Sequence, residues 1–208
     1  MPRQRTAART SNREKIPADD PIRRFKEWYA AAEASPMSQP EAMALATSDK
    51  RGRASVRYVL LKQVDERGFV FFTNMGSRKG REIKANPYVS FAIHWKPIDK
   101  QVRVEGRIER VSDEEADTYW DTRPRLSQLG ALASHQSAVI THREILTQRW
   151  LRLEQKYRNR AVPRPREWTG VRIIPDRIEF WEEEEHRLHH RDLYVRSRSG
   201  WRRQLLQP

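Results

Sequence analysis

The spacing of apolar residues changes period several times along the chain. After Asp19-Asp20-Pro21, a cap and a first-turn proline, Ile22, Phe25, Trp28 and Tyr29 recur at helical spacing until Ala34-Ser35-Pro36. That spacing predicts an amphipathic helix with Trp28 in the core. The pattern then turns to strands over 42–47, 54–62 and 69–73, with turns at 48–52 and 65–68. Residues 69–73 are apolar at nearly every position, so this strand is expected to be buried on both faces. Ser77 is placed to cap a short helix through Ala85, ended by Asn86-Pro87, and two further strands follow at 89–95 and 101–109.

Ser112-x-x-Glu115 is a capping box and predicts a helix from Asp113 to Tyr119 or beyond. Thr141-x-x-Glu144 is a second box, opening a helix to about Tyr157 with Ile145, Trp150, Leu151 and Leu153 as its apolar positions. After a Pro-rich link at 162–165, strands are expected at 170–174, 177–181, 193–196 and 201–205, the last two joined by Ser199-Gly200. Many short strands interrupted by helices predict a mainly β (α+β) chain, an antiparallel barrel with helices at its ends. Residues 1–18 are expected to be a disordered basic tail and 19–208 a single domain.

Composition narrows the classes of function. No run approaches the roughly 20 apolar residues that span a bilayer, and no apolar signal segment is visible, so a soluble cytoplasmic protein is expected. With no cysteine, disulfides and thiolate metal sites are excluded. The six histidines form no His-Glu-x-x-His pattern, no metal is expected, and no Gly-rich dinucleotide or phosphate loop occurs. The net charge of +13 favours anionic partners. Beyond the tail the cations are scattered among acids without a nucleic-acid-binding motif, which favours small phosphorylated molecules over nucleic acid.

Four stretches could carry chemistry, each with a plainer alternative. Arg57 and Lys62 bracket Tyr58-Val59-Leu60-Leu61; five apart in one strand, they point to opposite faces and could serve two ligands, or be solvated strand ends. Thr73-Asn74-Met75-Gly76-Ser77-Arg78-Lys79 runs from a strand into a capped helix with two cations: a phosphate cradle, or an ordinary surface helix. Arg123-Pro124-Arg125-Leu126-Ser127-Gln128, beside Tyr119, could clamp a second phosphate or be a polar loop. Arg187-Leu188-His189-His190-Arg191, if extended, places Arg187, His189 and Arg191 on one face, where Trp181 could flank a flat ring.

In this order, these stretches closely resemble the pyridoxamine 5′-phosphate oxidase family, with Gln101-Val102-Arg103-Val104-Glu105-Gly106 and Ile178-Glu179-Phe180-Trp181 adding to the match. The resemblance spans about residues 20–208. It implies an FMN-binding split β-barrel of antiparallel Greek-key type and a homodimer with FMN between subunits. It assigns FMN to Arg57, Tyr58, Val59, Leu60, Leu61, Lys62, Phe72, Thr73, Arg78, Lys79, Gln101, Gln136, Ser137, Trp181 and Arg191. The substrate phosphate falls to Lys62, Tyr119, Arg123 and Ser127, and the substrate ring to Arg187, Leu188 and His189, with Arg187 and His189 nearest the chemistry. The implied reaction is hydride transfer from pyridoxamine or pyridoxine 5′-phosphate to FMN, then reoxidation by dioxygen to give hydrogen peroxide. The chain departs from the family pattern at Phe72 (often Tyr), Leu132 (often Trp) and His190 (often an acid), and in lacking a match to the family's N-terminal segment. Alternatives are a split-barrel flavin oxidase of the phenazine type, a non-catalytic flavin or pyridoxal phosphate binder, and a nucleic-acid-binding protein.

Overall fold

Asp20 accepts a hydrogen bond from the Ile22 amide at 2.9 Å and opens α1 (Pro21–Glu33). In this computed structural model residues 20–208 are described, so the tail expected over 1–18 lies outside the described residues. Helix α1 buries Ile22 and Phe25; the Phe25 ring meets Phe69 edge-on at 4.8 Å, and Trp28 meets Phe180 edge-on at 5.1 Å. Trp28 is core packing, as its spacing predicts.

The sheet beneath contains β1 (Ala42–Ser48), β2 (Ala54–Leu60), β3 (Gln63–Asp65), β4 (Gly68–Asn74), β5 (Tyr88–Trp95), β6 (Lys100–Arg110), β7 (Trp168–Glu182), β8 (His190–Ser197) and β9 (Gly200–Leu205). Its order is β2-β1-β5-β6-β7-β4-β3, with β8 on β7 and β9 on β8, and every pair is antiparallel. Strand β4 is buried from Gly68 through Phe71, as its unbroken apolar run requires.

Two expected strands, 170–174 and 177–181, are one continuous β7. One edge of β7 pairs with β6 from Val171 to Glu182, while the other serves β4 over 168–173 and β8 over 177–182. Pro175 falls where β6 bulges at Glu105/Gly106 and where neither β4 nor β8 is paired, so its missing N–H costs no ladder bond. Gly106 allows the close approach: a Cβ there would lie 2.1 Å from the Ile174 carbonyl oxygen. This handover from β4 to β8 splits the sheet into a half-barrel. Strand β2 also ends earlier than expected, at Leu60 rather than Lys62. The Leu61 amide donates to Glu41 O at 2.9 Å and the Lys62 amide to Val70 O at 2.8 Å, so the chain leaves β1 for β4.

Ser77 caps α2 (Arg78–Ala85) by accepting from the Gly80 amide at 3.2 Å. A Cβ on Gly80 would lie 2.5 Å from Met75 Cα, so glycine is what lets α2 start tight against the end of β4. Ser112 caps α3 (Asp113–Thr122) through the Glu115 amide at 3.0 Å, as the capping box predicts. The stretch Arg123–Gln128, open to a phosphate clamp or a polar loop in the sequence, enters α4 (Arg125–Ala133), which buries Leu129 and Ala133, four apart. The second capping box does not form: α5 (Glu144–Tyr157) starts behind Arg143 with no side-chain cap. Helix α5 buries no residue fully, and Trp150 and Leu153 pack on a second cluster around Trp120, Leu129, Val162 and Trp168. Among the described residues no helix is long and apolar enough to cross a membrane.

Candidate active site

Strand alternation sends Phe72 and Thr73 to opposite faces of β4, and an unbalanced cation lies beyond each. On the Thr73 face, Lys79 is 8% exposed. Its ammonium donates to Gln136 Oε1 at 3.1 Å, and the Thr73 hydroxyl donates to the same oxygen at 3.5 Å. No carboxylate pairs with Lys79 among the described residues. Burial, reinforced by the Arg57 guanidinium, pushes the ammonium down to about 8.

Arg57 comes from β2, and protein acceptors fill both its terminal nitrogens. Its Nη1 donates to Leu45 O at 3.0 Å and Thr47 Oγ1 at 2.7 Å, and its Nη2 to Ser55 Oγ and to Glu82 Oε2 at 3.2 Å. Glu82, on α2, also accepts from Arg78 Nε at 2.9 Å, from Thr47 Oγ1 at 2.5 Å and from Ser55 Oγ at 2.6 Å. Burial opposes ionisation of Glu82, but the bonds from Ser55, Thr47 and Arg78 outweigh it and bring the carboxyl down to about 2.

On the Phe72 face, the Phe72 ring stacks on Tyr119 at 3.8 Å and on Trp168 at 5.3 Å. The Arg123 guanidinium lies 4.8 Å over Trp168 and 5.6 Å over Trp120, with Nη2 donating to Ser127 O at 3.3 Å. Arg123 Nε is buried without a hydrogen-bond partner, alone in this respect among the described side-chain N and O atoms. Burial pushes its guanidinium down and the Tyr119 phenol up. A cleft of about 470 Å³ opens beside Phe72, Tyr119, Gln63 and Thr118.

A third group is a row across the sheet. His94, Gln101, Trp181 and Arg191 stand opposite one another on β5, β6, β7 and β8, and so share a face. Arg191 donates to Glu179 Oε1 at 2.9 Å and to Gln207 O at 2.8 Å, so buried Glu179 supplies the counter-charge that His190 does not. The His189 ring lies 4.6 Å from Trp181, and its Nδ1 accepts from the Glu184 amide at 3.2 Å. That bond places the proton of a neutral ring on Nε2.

The structure thus gathers Arg57, Thr73, Arg78, Lys79 and Gln136 into one cluster, Phe72, Tyr119, Arg123 and Ser127 into a second, and Gln101, Trp181, His189 and Arg191 into a third. It does not join Lys62 to the second, since its ammonium sits 3.9 Å from Glu41. Tyr58 and Leu60 project from the exposed face of β2, opposite to Arg57 and Val59, and Leu61 is buried. Leu188 is exposed, and Ser137 sits in the left-handed region at φ 68°. The extended 187–191 face is corrected: His186 and Arg187 have φ of 55° and 63° in a single helical turn, so Arg187 leaves the line of His189 and Arg191. Sequence reasoning missed Thr47, Ser55, Glu82, Trp168 and Glu179. Only Glu82 carried a local signal, its position four residues after Arg78 on one helix. Among the described residues no cluster of His and acids could hold a metal.

A family model described as pyridoxamine 5′-phosphate oxidase matches residues 29–157, and one described as the pyridoxine 5′-phosphate oxidase C-terminal dimerisation region matches 168–208. The chain is 52% identical over 189 residues to the pyridoxine/pyridoxamine 5′-phosphate oxidase of Myxococcus xanthus (strain DK1622), covering 91% of this chain and 92% of that one. It is 53% identical over 189 residues to the protein of the same name from Rubrobacter xylanophilus, covering 91% and 87%. Among solved structures, PhzG from Burkholderia lata 383, in complex with tetrahydrophenazine-1-carboxylic acid, superposes with a TM-score of 0.88 at 34% identity, covering 92% and 94%. A pyridoxamine 5′-phosphate oxidase-related, FMN-binding protein from Nostoc punctiforme PCC 73102 shares the fold, with a TM-score of 0.73 at 14% identity and coverage of 92% and 100%.

Proposed function

Because this chain belongs to the pyridoxamine 5′-phosphate oxidase family, we propose that it binds FMN and oxidises pyridoxamine and pyridoxine 5′-phosphate to pyridoxal 5′-phosphate. The observation that carries this reading is a pair of cations lacking an anion, the buried Lys79 ammonium and the half-buried Arg123 with its buried, partnerless Nε, reached from the two faces of β4. A buried ammonium without a counter-ion is costly, and two such sites suit two phosphoesters, one on the flavin and one on the substrate.

Lys79, Arg78, Thr73, Gln136 and Ser137 would hold the FMN phosphate. Arg123 and Tyr119 would hold the substrate phosphate, with Ser127, and Lys62 would exchange Glu41 for it. Trp181 and Gln101 would flank the flavin ring. His189, its Nδ1 occupied, would present Nε2–H to the substrate, and Arg187 would orient the ring by charge. Bound FMN would supply the hydride acceptor, with dioxygen as final oxidant and hydrogen peroxide as product. With the amine substrate, water would then release ammonia and the aldehyde. Trp181, Arg187, His189 and Arg191 all fall within the matched dimerisation region; the proposal is a homodimer in which they complete the partner's site. A cytoplasmic location and a single domain spanning both matched regions belong to the same proposal.

The likeness to PhzG favours a second reading, a tricyclic acid as substrate. The partnerless Arg123 Nε supports a phosphorylated one instead. The test is to purify the protein, add FMN, and supply pyridoxamine 5′-phosphate with oxygen. Yellow protein that forms aldehyde and peroxide in equal amounts supports the proposal; protein that takes up no FMN, or yields no aldehyde, refutes it.

A further inference from the structure

The flavin-phosphate cradle contains a carboxylate, which a site for a dianion should avoid. Glu82 is 7% exposed and accepts from four donors, of which Arg57 and Arg78 are cations of the cradle. Its effect on the two differs. Arg78 is held through Nε alone, which leaves both terminal nitrogens without a protein acceptor among the described residues. Arg57 has both terminal nitrogens filled, so it acts on a ligand by charge rather than by its fork.

We propose that Glu82 is a positioning residue of this cradle: it aims the Arg78 fork at the phosphate and offsets guanidinium charge beside Lys79. The proposal rests on the FMN reading above. Arg57, Arg78 and Lys79 face a single carboxylate, so the cluster keeps a formal excess of two positive charges, matching a phosphomonoester of about −1.5 to −2. The charged groups around Lys79 are Arg57 from β2 and Arg78 and Glu82 from its own helix; Thr73 from β4 and Gln136 from the segment after α4 are neutral. Arg57 disfavours the ammonium, and Glu82 lies 3.2 Å from Arg57. Without the carboxylate, two uncompensated guanidiniums would stand beside Lys79, and its proton would be lost at lower pH.

Charge repulsion alone predicts the opposite outcome, because removing a carboxylate near a dianion should tighten binding. The test is titration of flavin-stripped protein by flavin fluorescence, with FMN and with riboflavin, over a pH series. For Glu82→Gln we expect FMN affinity to fall by about tenfold or more, the effect of losing one charge-assisted contact, with riboflavin affinity unchanged. The pH at which FMN binding begins to weaken should be lower than in wild type, because the Lys79 ammonium, already pushed down to about 8, would lose its proton earlier. Glu82→Asp keeps the charge but shortens the reach, so affinity should fall while that pH stays. FMN bound as tightly or more tightly by Glu82→Gln overturns the proposal, as does an equal loss of both flavins or an unmoved pH. If Glu82→Gln does not fold, Glu82→Asp decides by the same comparison of the two flavins. Wild-type protein that binds neither flavin would instead overturn the FMN reading itself.

Discussion

Lys79 should destabilise the protein that depends on it. Its ammonium is buried and pushed from 10.5 down to about 8, a difference of about 2.5 pH units, or about 3 kcal/mol at about 1.36 kcal/mol per unit. Between pH 8 and 10.5 the unfolded chain binds the extra proton, so stability rises with pH across that window. The cost is fully present below 8 and gone above 10.5. Lys79→Met removes the charge, keeps similar bulk, and gives up the bond to Gln136, worth about 1 kcal/mol. Flavin-stripped Lys79→Met should therefore be more stable than wild type by about 2 kcal/mol near neutrality, or roughly 4–8 °C in Tm for a chain of this length. At a pH of about 9.5 most of that gain should vanish. Saturating FMN should reverse the order, because only wild type gains the ligand's stabilisation. The assay is urea or thermal unfolding of both proteins at the two pH values, with and without FMN. A variant less stable than wild type without flavin, or equally stabilised at both pH values, would refute the account of Lys79 as an unbalanced cation.

Other substitutions separate the remaining roles. Arg123→Lys should raise KM for the phosphorylated substrate by about 10–100-fold while leaving FMN content intact, read by steady-state kinetics, because a lysine cannot reproduce the guanidinium held over Trp168. Arg187→Ala should lower turnover more than flavin content, checked by comparing kcat with the flavin-to-protein ratio. Trp168→Ala should cost about 3–5 kcal/mol in urea unfolding, since it removes a buried ring packed on Phe72, Trp120 and Arg123. Asp192 accepts from Arg24 and Arg203, and although burial opposes ionisation these bonds hold its carboxyl below the usual range. Its stabilisation is present above about 3.9 and lost as pH falls through the lower folded value. Asp192→Asn should thus destabilise the protein at pH 7 by about 3 kcal/mol, with the deficit shrinking in acid, as followed by urea midpoints against pH.

The parts of the site written within one short segment were legible in the sequence. Ser77, Arg78 and Lys79 follow the end of β4 directly, and the cap, the helix and its cations could be read together. Burial of Lys79 could not, because it depends on Gln136, Thr73 and Arg57 arriving from distant segments. Thr47 and Ser55 face each other only through β1–β2 pairing. The gap expected at 175–176 is no break: Pro175 is tolerated within one strand because β7 changes partners there. The polar start at Arg123–Gln128 concealed α4, whose apolar face begins only at Leu129. The turn at Arg187 rests on two non-glycine residues at positive φ, which nothing local announces.

The claim that two phosphate pockets bring substrate and flavin together is tested most directly by mixing the FMN-loaded protein anaerobically with pyridoxamine 5′-phosphate, and separately with pyridoxamine. The account predicts rapid bleaching of the flavin by the phosphorylated amine and, with Arg123 and Tyr119 given nothing to hold, bleaching slower by orders of magnitude with the free amine. Equal rates, or a flavin that neither compound bleaches, would contradict it.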